Sequence, residues 1–283
     1  MPAISAMAGD ASLRRHSTPT TLHTLPAGWG MTRHGIAKLF SFGYPTPMKV
    51  PSSFSRLKDF RFPREVIAYA VWAYHRFAMS TADVEDLLAV RGVVVSPETV
   101  RLWVNRFGRH FADCVRTDRP KPNNMWHMDE CVITIGGVKY WLWRAIDADG
   151  DVLDILVQPR RNAKAAKRFF RKLVKQFGKP RVVVTDKLRS YIQPIRSLVP
   201  DADHRAHKGL NNRIENSHRP TRRREKIMCR FKSPQQAQRF LSAHDQINTI
   251  FRPRRYKLSN QSYRHARSDA FALWADYTAE MAA

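Results

Sequence analysis

The stretch that decides the fold is VVVTDKLRSY, residues 182–191, in which three consecutive valines lead into an acid, a base and an arginine. The valine run is β-branched and apolar, which is typical of a strand covered on both faces. Asp186 stands at the carboxyl end of that strand. An acid in this position is either a helix N-cap or a site residue, because ligands of open α/β sheets gather at the carboxyl ends of strands.

The residues before this strand predict three further strands and a helix. MWHMDECVITI alternates in polarity, and Gly136-Gly137 separates it from VKYWLWRAID, which predicts a hairpin. DADGD supplies a second turn before VLDILVQ, and residues 162–177 carry apolar side chains at helical spacing up to Gly178. Three strands, a helix and a strand are the first half of a ribonuclease H-like fold, so we expect an α/β mixed sheet flanked by helices.

The charge balance predicts a polyanionic partner. The chain has 283 residues with 49 Lys and Arg against 24 Asp and Glu, which gives a net charge of +25. Nucleic acid is the first expectation because the basic residues are interleaved with aromatics, and a membrane-surface protein is the alternative. No run is apolar enough to span a bilayer. The three cysteines form no CxxC pair, which argues against a zinc finger or a disulfide framework and favours the cytoplasm.

The region from Phe62 to Phe111 predicts an all-α, helix-turn-helix domain ahead of the sheet. Residues 64–78 are amphipathic, STADVEDLLAVRG begins with a capping-box pattern, and SPETVRLWVNRFGRHF has Ser-Pro-Glu at its start. The last helix of such a motif enters the major groove. Its exposed polar residues are the candidate DNA contacts: Arg101, Asn105, Arg106 and Arg109. The alternative is a plain three-helix cap with a solvated charged face.

Composition shifts divide the chain into five segments. The first is Ser-, Thr-, Pro- and Gly-rich and is expected to be disordered, or to be an upstream extension if translation starts at Met48. A Pro- and Asn-rich linker separates the two central domains. The last segment predicts two helices that pack on the core or support multimerisation. The boundaries are 1–58 for the extension, 59–116 for the helix-turn-helix, 117–124 for the linker, 125–232 for the catalytic sheet domain and 233–283 for the C-terminal helices.

Three acids stand out as candidate catalytic residues. Asp129 lies inside the first predicted strand, and Asp186 ends the fourth, which is adjacent to the first in a ribonuclease H-like fold. Glu215 stands in a polar, basic segment that predicts a helix. Taken singly, these are explained by a strand-edge charge, an N-cap and a surface ion pair. Three converging carboxylates repel one another unless divalent cations neutralise them, and hard oxygen ligands select Mg²⁺ or Mn²⁺. Two such ions about 3.5–4 Å apart can clamp the attacking and leaving oxygens of a phosphodiester displacement.

Five blocks carry a resemblance to a known family: WHMDE, YWLWRAID, RRNAKAAKRFF, VVVTDKLRSY and LNNRIENSHRPTRRRE. In this order they resemble a D-D-E transposase of insertion sequence family six, over about residues 60 to 275. The resemblance implies a bacterial enzyme with two Mg²⁺ ions at Asp129, Asp186 and Glu215. It implies binding to the terminal inverted repeats of its own element, cleavage that exposes 3′-hydroxyl ends, and joining of those ends to target DNA.

The same resemblance suggests further contacts and partners. The family has a basic residue seven positions after the glutamate, and Arg222 occupies that position, where it would contact a DNA phosphate. Lys187, directly after Asp186, is a second candidate phosphate contact, with a solvated turn as its alternative. Because two element ends must be held together, we expect a homodimer or higher homo-oligomer, associated with the bacterial nucleoid.

One departure from the family and two rival functions remain open. Positions 187 to 214 leave 28 residues between Asp186 and Glu215, somewhat fewer than the family usually has. The segment is therefore shortened, by subfamily variation or by a deletion that damages activity. The first rival is a catalytically inactive DNA-binding regulator that retains the fold. The second is a nuclease that hydrolyses DNA without strand transfer.

Overall fold

The computed structural model describes residues 57, 59–186, 188–207, 212–253 and 257–281. The predictions for residues 1–56 and for Lys187 lie outside this described part. None of the described helices combines the length and the apolar character needed to cross a lipid bilayer.

The described elements follow one another as helices, a sheet with inserted helices, and helices again. The strands are β1 (Met125–Ile135), β2 (Val138–Asp147), β3 (Val152–Gln158), β4 (Val182–Thr185) and β5 (Asp203–Ala206). The helices are α1 (Arg64–Arg76), α2 (Thr81–Ala89), α3 (Pro97–Asp118), α4 (Ala163–Phe177), α5 (Ile192–Leu198), α6 (Asn212–Ser217), α7 (Arg219–Ile227), α8 (Pro234–Ile250) and α9 (Asn260–Ala279). A 3-10 turn, Arg189–Tyr191, precedes α5.

The sheet has the order β3-β2-β1-β4-β5. β1, β2 and β3 form an antiparallel meander, and β4 and β5 run parallel to β1. The expected mixed, ribonuclease H-like sheet is confirmed, including the placement of the valine strand beside β1. Met128 pairs in register with Thr185, so the residues that follow them in the chain, Asp129 and Asp186, lie at the same level of the sheet.

Local signals in the sequence begin and end several of these elements. Gly136 and Gly137 have φ angles of 57° and 79°, which L side chains rarely adopt, and they close the β1–β2 hairpin between Ile135 and Val138. The side chain of Asn162 accepts a hydrogen bond from the backbone of Ala165 and so begins α4.

The sheet is covered on both faces. One face of β1 and β2 directs Trp126, Met128 and Trp143 into a core filled by the apolar side of α4. The other face directs Ile133 and Leu142 into a second core. That second core is closed by Ile214 of α6, by Phe231, and by Ala237 and Leu241 of α8.

The N-terminal helices have the predicted caps. Ser80 and Asp83 form a reciprocal capping box at α2, and Ser96 caps α3. Helix α3 continues to Asp118, which is two residues into the segment expected to be a linker. A Cβ atom on Gly108 of α3 would lie 3.2 Å from Nε2 of His75, so glycine allows α3 to approach α1 closely there.

Helix α8 contacts α3, α1 and the sheet. Its glutamines satisfy backbone groups at the edge strand β3: Gln238 accepts from Val157 N and donates to Ile155 O, and Gln246 donates to Val152 O. These bonds cover an edge that would otherwise present unpaired backbone groups. The division of the chain into the five predicted segments stays a prediction.

Candidate active site

Asp129 and Asp186 meet at the centre of the sheet. A carboxylate oxygen of each, together with one from Glu130, lies within 4.8 Å of the others. The Asp129 and Asp186 side chains are 16% and 29% exposed, so both are mostly buried but still reach solvent. The parallel pairing of β1 with β4 produces this meeting, because it aligns residues that are 57 positions apart in the chain.

Asp186 serves the turn after β4 and faces the cluster as well. Its Oδ1 accepts a hydrogen bond from the backbone N–H of Leu188 at 3.0 Å. Its Oδ2 lies 3.4 Å from Nη2 of Arg161, just before α4. The side chain is therefore held by one backbone donor and one guanidinium. The N-cap of the 3-10 turn that follows β4 is Leu188, so Asp186 is not a helix N-cap, and its role in the site stays a prediction.

Glu130 is the residue of this cluster that the sequence analysis missed. Its Oε2 accepts a hydrogen bond from the Tyr191 hydroxyl at 2.6 Å, and its Oε1 accepts one from Nε of Arg161 at 2.6 Å. Burial raises the pKa of Glu130 to about 7, against the opposing effects of Tyr191 and Arg161. Both oxygens are thus engaged by the protein, which favours a supporting role. Its position next to Asp129 was the only available signal, and strand alternation argued against it.

Glu215 lies on α6 and its side chain is exposed. It does not join the group formed by Asp129, Glu130 and Asp186. The structure therefore brings two of the three predicted carboxylates together and places the third on a neighbouring helix. Ile214, which is fully buried, anchors that helix in the second core, on the face of the sheet opposite α4.

The link between Glu215 and Asp129 is His218. The backbone N–H of His218 donates to the Glu215 carbonyl, and its Nε2 lies 3.3 Å from Oδ2 of Asp129. Burial lowers the pKa of His218, and the hydrogen bond with Asp129 opposes that effect. The sequence analysis missed this histidine as a site residue. Its position three residues after Glu215 was the available signal.

Arg144 fixes the junction between α6 and α7. Its side chain is 1% exposed and forms an ion pair with Asp245 of α8 at 2.8 Å. It also donates to the Ser217 carbonyl at 2.9 Å and to the Thr221 hydroxyl at 2.5 Å. The last residue of α6 and the first turn of α7 are thereby tied to the sheet and to α8.

The predicted DNA contacts of α3 are exposed. Arg101 pairs with Glu98, and Arg109 pairs with Asp113 at 3.5 Å. The guanidinium of Arg106 lies 5.2 Å from the ring centre of Phe60, and Asn105 is exposed between the arginines. Exposed ion pairs of this kind are weak, so DNA phosphates can replace them. On α7, Arg222 pairs with Glu225 at 3.4 Å.

The donor set fits a divalent cation. Asp129 and Asp186 offer carboxylate oxygens, which are the ligands that Mg²⁺ and Mn²⁺ prefer. Their crowding with Glu130 is unfavourable for three charges, and the neighbourhood of Asp186 contributes to the raised pKa of Glu130. A bound cation would relieve that repulsion.

Comparisons with known proteins point in one direction. The family model DDE_Tnp_IS240, described as a DDE domain, matches residues 123–254. The transposase for insertion sequence element IS257 in transposon Tn4003 of Staphylococcus aureus is 34% identical over 204 residues, which cover 70% of this chain and 89% of that protein. The transposase for insertion sequence-like element IS431mec of Staphylococcus aureus strain Mu50 is 33% identical with the same coverage.

Solved structures that are similar to part of this chain include the catalytic core domain of the HTLV-2 integrase in complex with magnesium. It is 18% identical, with a TM-score of 0.36, and the match covers 46% of this chain and 87% of that one. A simian T-cell lymphotropic virus intasome in complex with a PP2A regulatory subunit is 16% identical, with a TM-score of 0.37 and coverage of 47% and 50%.

Proposed function

Because the chain belongs to the D-D-E transposases of insertion sequence family six, which are polynucleotidyl transferases, we propose that it acts on the ends of its own element. It binds the terminal inverted repeats, cleaves the strands to leave 3′-hydroxyl ends, and transfers those ends into target DNA. The observation that carries this proposal is the meeting of Asp129 and Asp186 within 4.8 Å at the level where β1 and β4 pair.

Asp129, Asp186 and Glu215 are the proposed metal ligands. Two Mg²⁺ or Mn²⁺ ions bound there would neutralise the carboxylates and stabilise charge on the attacking and leaving oxygens of the phosphodiester. Protein side chains position these ligands. Arg161 orients Asp186 and Glu130, and His218 lies against Asp129 on the side where α6 carries Glu215.

DNA recognition is proposed for the exposed side of α3, with Arg101, Asn105, Arg106 and Arg109 as contacts. Arg222 is proposed to contact a phosphate near the carboxylates, and the same proposal stands for Lys187. A net charge of +25 supports a DNA partner. Two element ends require two sets of recognition helices, so a homodimer or larger homo-oligomer is the proposed working form.

The test is the Asp186→Asn variant, which keeps the size of the side chain and removes its charge. We expect it to lose cleavage and joining of a duplex that carries the inverted repeat, while binding to that duplex stays within about twofold of the wild type. Asp201→Asn is the matched control, because Asp201 is an exposed acid outside the cluster. Cleavage that persists in Asp186→Asn would refute the metal assignment.

The rival functions are separated by the same assay. A wild-type protein that binds the repeat in Mg²⁺ and Mn²⁺ but neither cleaves it nor joins a pre-cleaved end would be the inactive regulator. A protein that cleaves but leaves pre-cleaved 3′ ends unjoined would be the nuclease.

A further inference from the structure

Helix α4 carries a basic face that the proposed chemistry does not use. Between Asp154 and Asp186 the chain has ten Lys and Arg and no acid. The apolar side of α4 fills the core under the sheet. The opposite side is exposed and carries Lys and Arg together with the uncharged Gln176. This α4 basic face consists of Lys164, Lys167, Arg168, Arg171, Lys172 and Lys175.

Most of these cations have no acidic partner among the described residues. Within the described part of the chain, Lys172 pairs with Asp154, and the other five residues form no ion pair. Like charges three and four positions apart, such as Lys167 and Arg171, destabilise an isolated helix. By contrast, Arg101 and Arg109 of α3 are neutralised within their own helix. An unneutralised row of charge of this kind is complementary to a polyanion.

The face begins at the candidate active site. Arg161, two residues before α4, contacts Glu130 and Asp186, and Asn162 caps the helix. From there the 15 residues of α4 extend about 22 Å at about 1.5 Å per residue. That length corresponds to about six base pairs of duplex at about 3.4 Å each.

We propose that the α4 basic face binds the phosphate backbone of duplex DNA that leads away from the carboxylate cluster. The proposal rests on the proposed function for the identity of DNA as substrate. Lysine and arginine side chains spaced along one helix face contact phosphates rather than base edges, so the contact is independent of sequence. It complements the sequence-reading role proposed for α3. A second copy of this chain is a poor occupant, because two such faces would repel each other and neither offers an apolar centre.

The experiment compares two full-length variants of equal net charge. One replaces four residues of the face: Lys164→Gln, Lys167→Gln, Arg171→Gln and Lys175→Gln. The control replaces four exposed cations elsewhere: Lys139→Gln, Arg239→Gln, Arg264→Gln and Arg267→Gln. Binding to two labelled 30-bp duplexes is measured by fluorescence anisotropy at several salt concentrations without divalent metal. One duplex carries the inverted repeat that borders the gene, and the other has an unrelated sequence.

We expect the face variant to bind both duplexes at least tenfold more weakly at low salt. The slope of log affinity against log salt should fall by about 3.6, since each of the four lost phosphate contacts removes about 0.9. The control should change the slope by less than about 1, and thermal melting should show both variants folded. Equal losses in the two variants would overturn the proposal, as would a loss confined to the repeat duplex or a change of oligomeric state without a change in DNA binding.

This measurement is independent of the chemistry. Because no metal is present, a failure here leaves the cleavage result for Asp186→Asn unaffected, and a failure there leaves the salt slopes unaffected.

Discussion

Asp129 lies directly across the β1–β2 ladder from Arg144, yet the Arg144 guanidinium is committed to Asp245, Ser217 and Thr221. Asp129 has His218 as its neighbour from the helices. The arginine thus serves the site by holding the α6–α7 junction.

Breaking the Arg144–Asp245 pair should destabilise the protein strongly. Arg144→Gln leaves the carboxylate of Asp245 in a position that is only 4% exposed, and a buried ion pair that loses one partner costs about 3–5 kcal/mol. Urea unfolding would measure this loss. The double variant Arg144→Gln, Asp245→Asn removes the unpaired buried charge and should recover more than half of the lost stability. No recovery would show that the charge of Asp245 is not the source of the cost.

Glu130 and Glu215 should differ in their effect on cleavage. We expect Glu215→Gln to abolish strand cleavage, because it removes a proposed ligand. Glu130→Gln can still accept a hydrogen bond from Tyr191, but it loses the charge that binds Arg161. Substitution of a residue that supports a metal site typically lowers activity about 10–100-fold, and we expect a loss of cleavage of that size. Cleavage rates across a Mg²⁺ titration check this order. The reverse order would make Glu130 the third ligand, as its place in the folded cluster allows.

Substitutions on the exposed side of α3 should reduce discrimination between sequences. A well-placed side chain that reads a base pair contributes about 1–3 kcal/mol, so Asn105→Ala should lower affinity for the inverted repeat by about 10–100-fold. Binding to unrelated duplex should stay nearly constant. Competition binding with the two duplexes provides the measurement. Asn260→Ala, at the start of α9, is a suitable control, and an equal loss on both duplexes would place sequence reading elsewhere.

The buried histidine pair should make stability depend on pH. Nδ1 of His75 lies 3.2 Å from Nδ1 of His244, between α1 and α8. Burial lowers the pKa of His75 from 6.5 to about 3 and holds the pKa of His244 well below its usual range. The unfolded chain therefore takes up protons below about pH 6.5 that the folded pair refuses, so the free energy of unfolding falls as the pH drops from there toward 3.

Urea unfolding at pH 7 and pH 5 should show a loss on the order of 2–4 kcal/mol from this pair. The double variant His75→Gln, His244→Gln is expected to be less stable than the wild type at pH 7. Its free energy of unfolding should fall much less than that of the wild type between pH 7 and pH 5. An unchanged loss would assign the pH dependence to other groups. His265→Gln, on the exposed side of α9, controls for removal of a histidine as such.

Local chemistry made much of the fold predictable. Ser80 with Asp83, Ser96 with Pro97, Gly136-Gly137 and Asn162 each act within a few residues of chain, and each begins or closes an element where the sequence indicated. The adjacency of β4 and β1 is a long-range fact, and it was expected only because the element order resembled a known fold. The short segment after Asp186 still forms a 3-10 turn, α5 and β5 in its described part.

The supporting residues of the site could not be predicted in the same way. Arg144 and Asp245 are about a hundred residues apart in the chain, and their contact follows from how α8 packs on the sheet. Arg161 seemed to be one more cation in a basic segment, although it contacts two acids of the cluster. Side chains of this kind acquire partners only when distant elements pack, and periodicity contains no information about that step.

Helix α8 touches the sheet that holds the aspartates and also α3, on which the sequence-reading residues are proposed. Because α8 packs against both, the distance between the aspartates and the exposed side of α3 is fixed. If α3 binds a particular DNA sequence, the phosphodiester that is cleaved should lie a constant number of base pairs from that sequence. A change in the length of α8 should then change the number of base pairs between the bound sequence and the cleavage position.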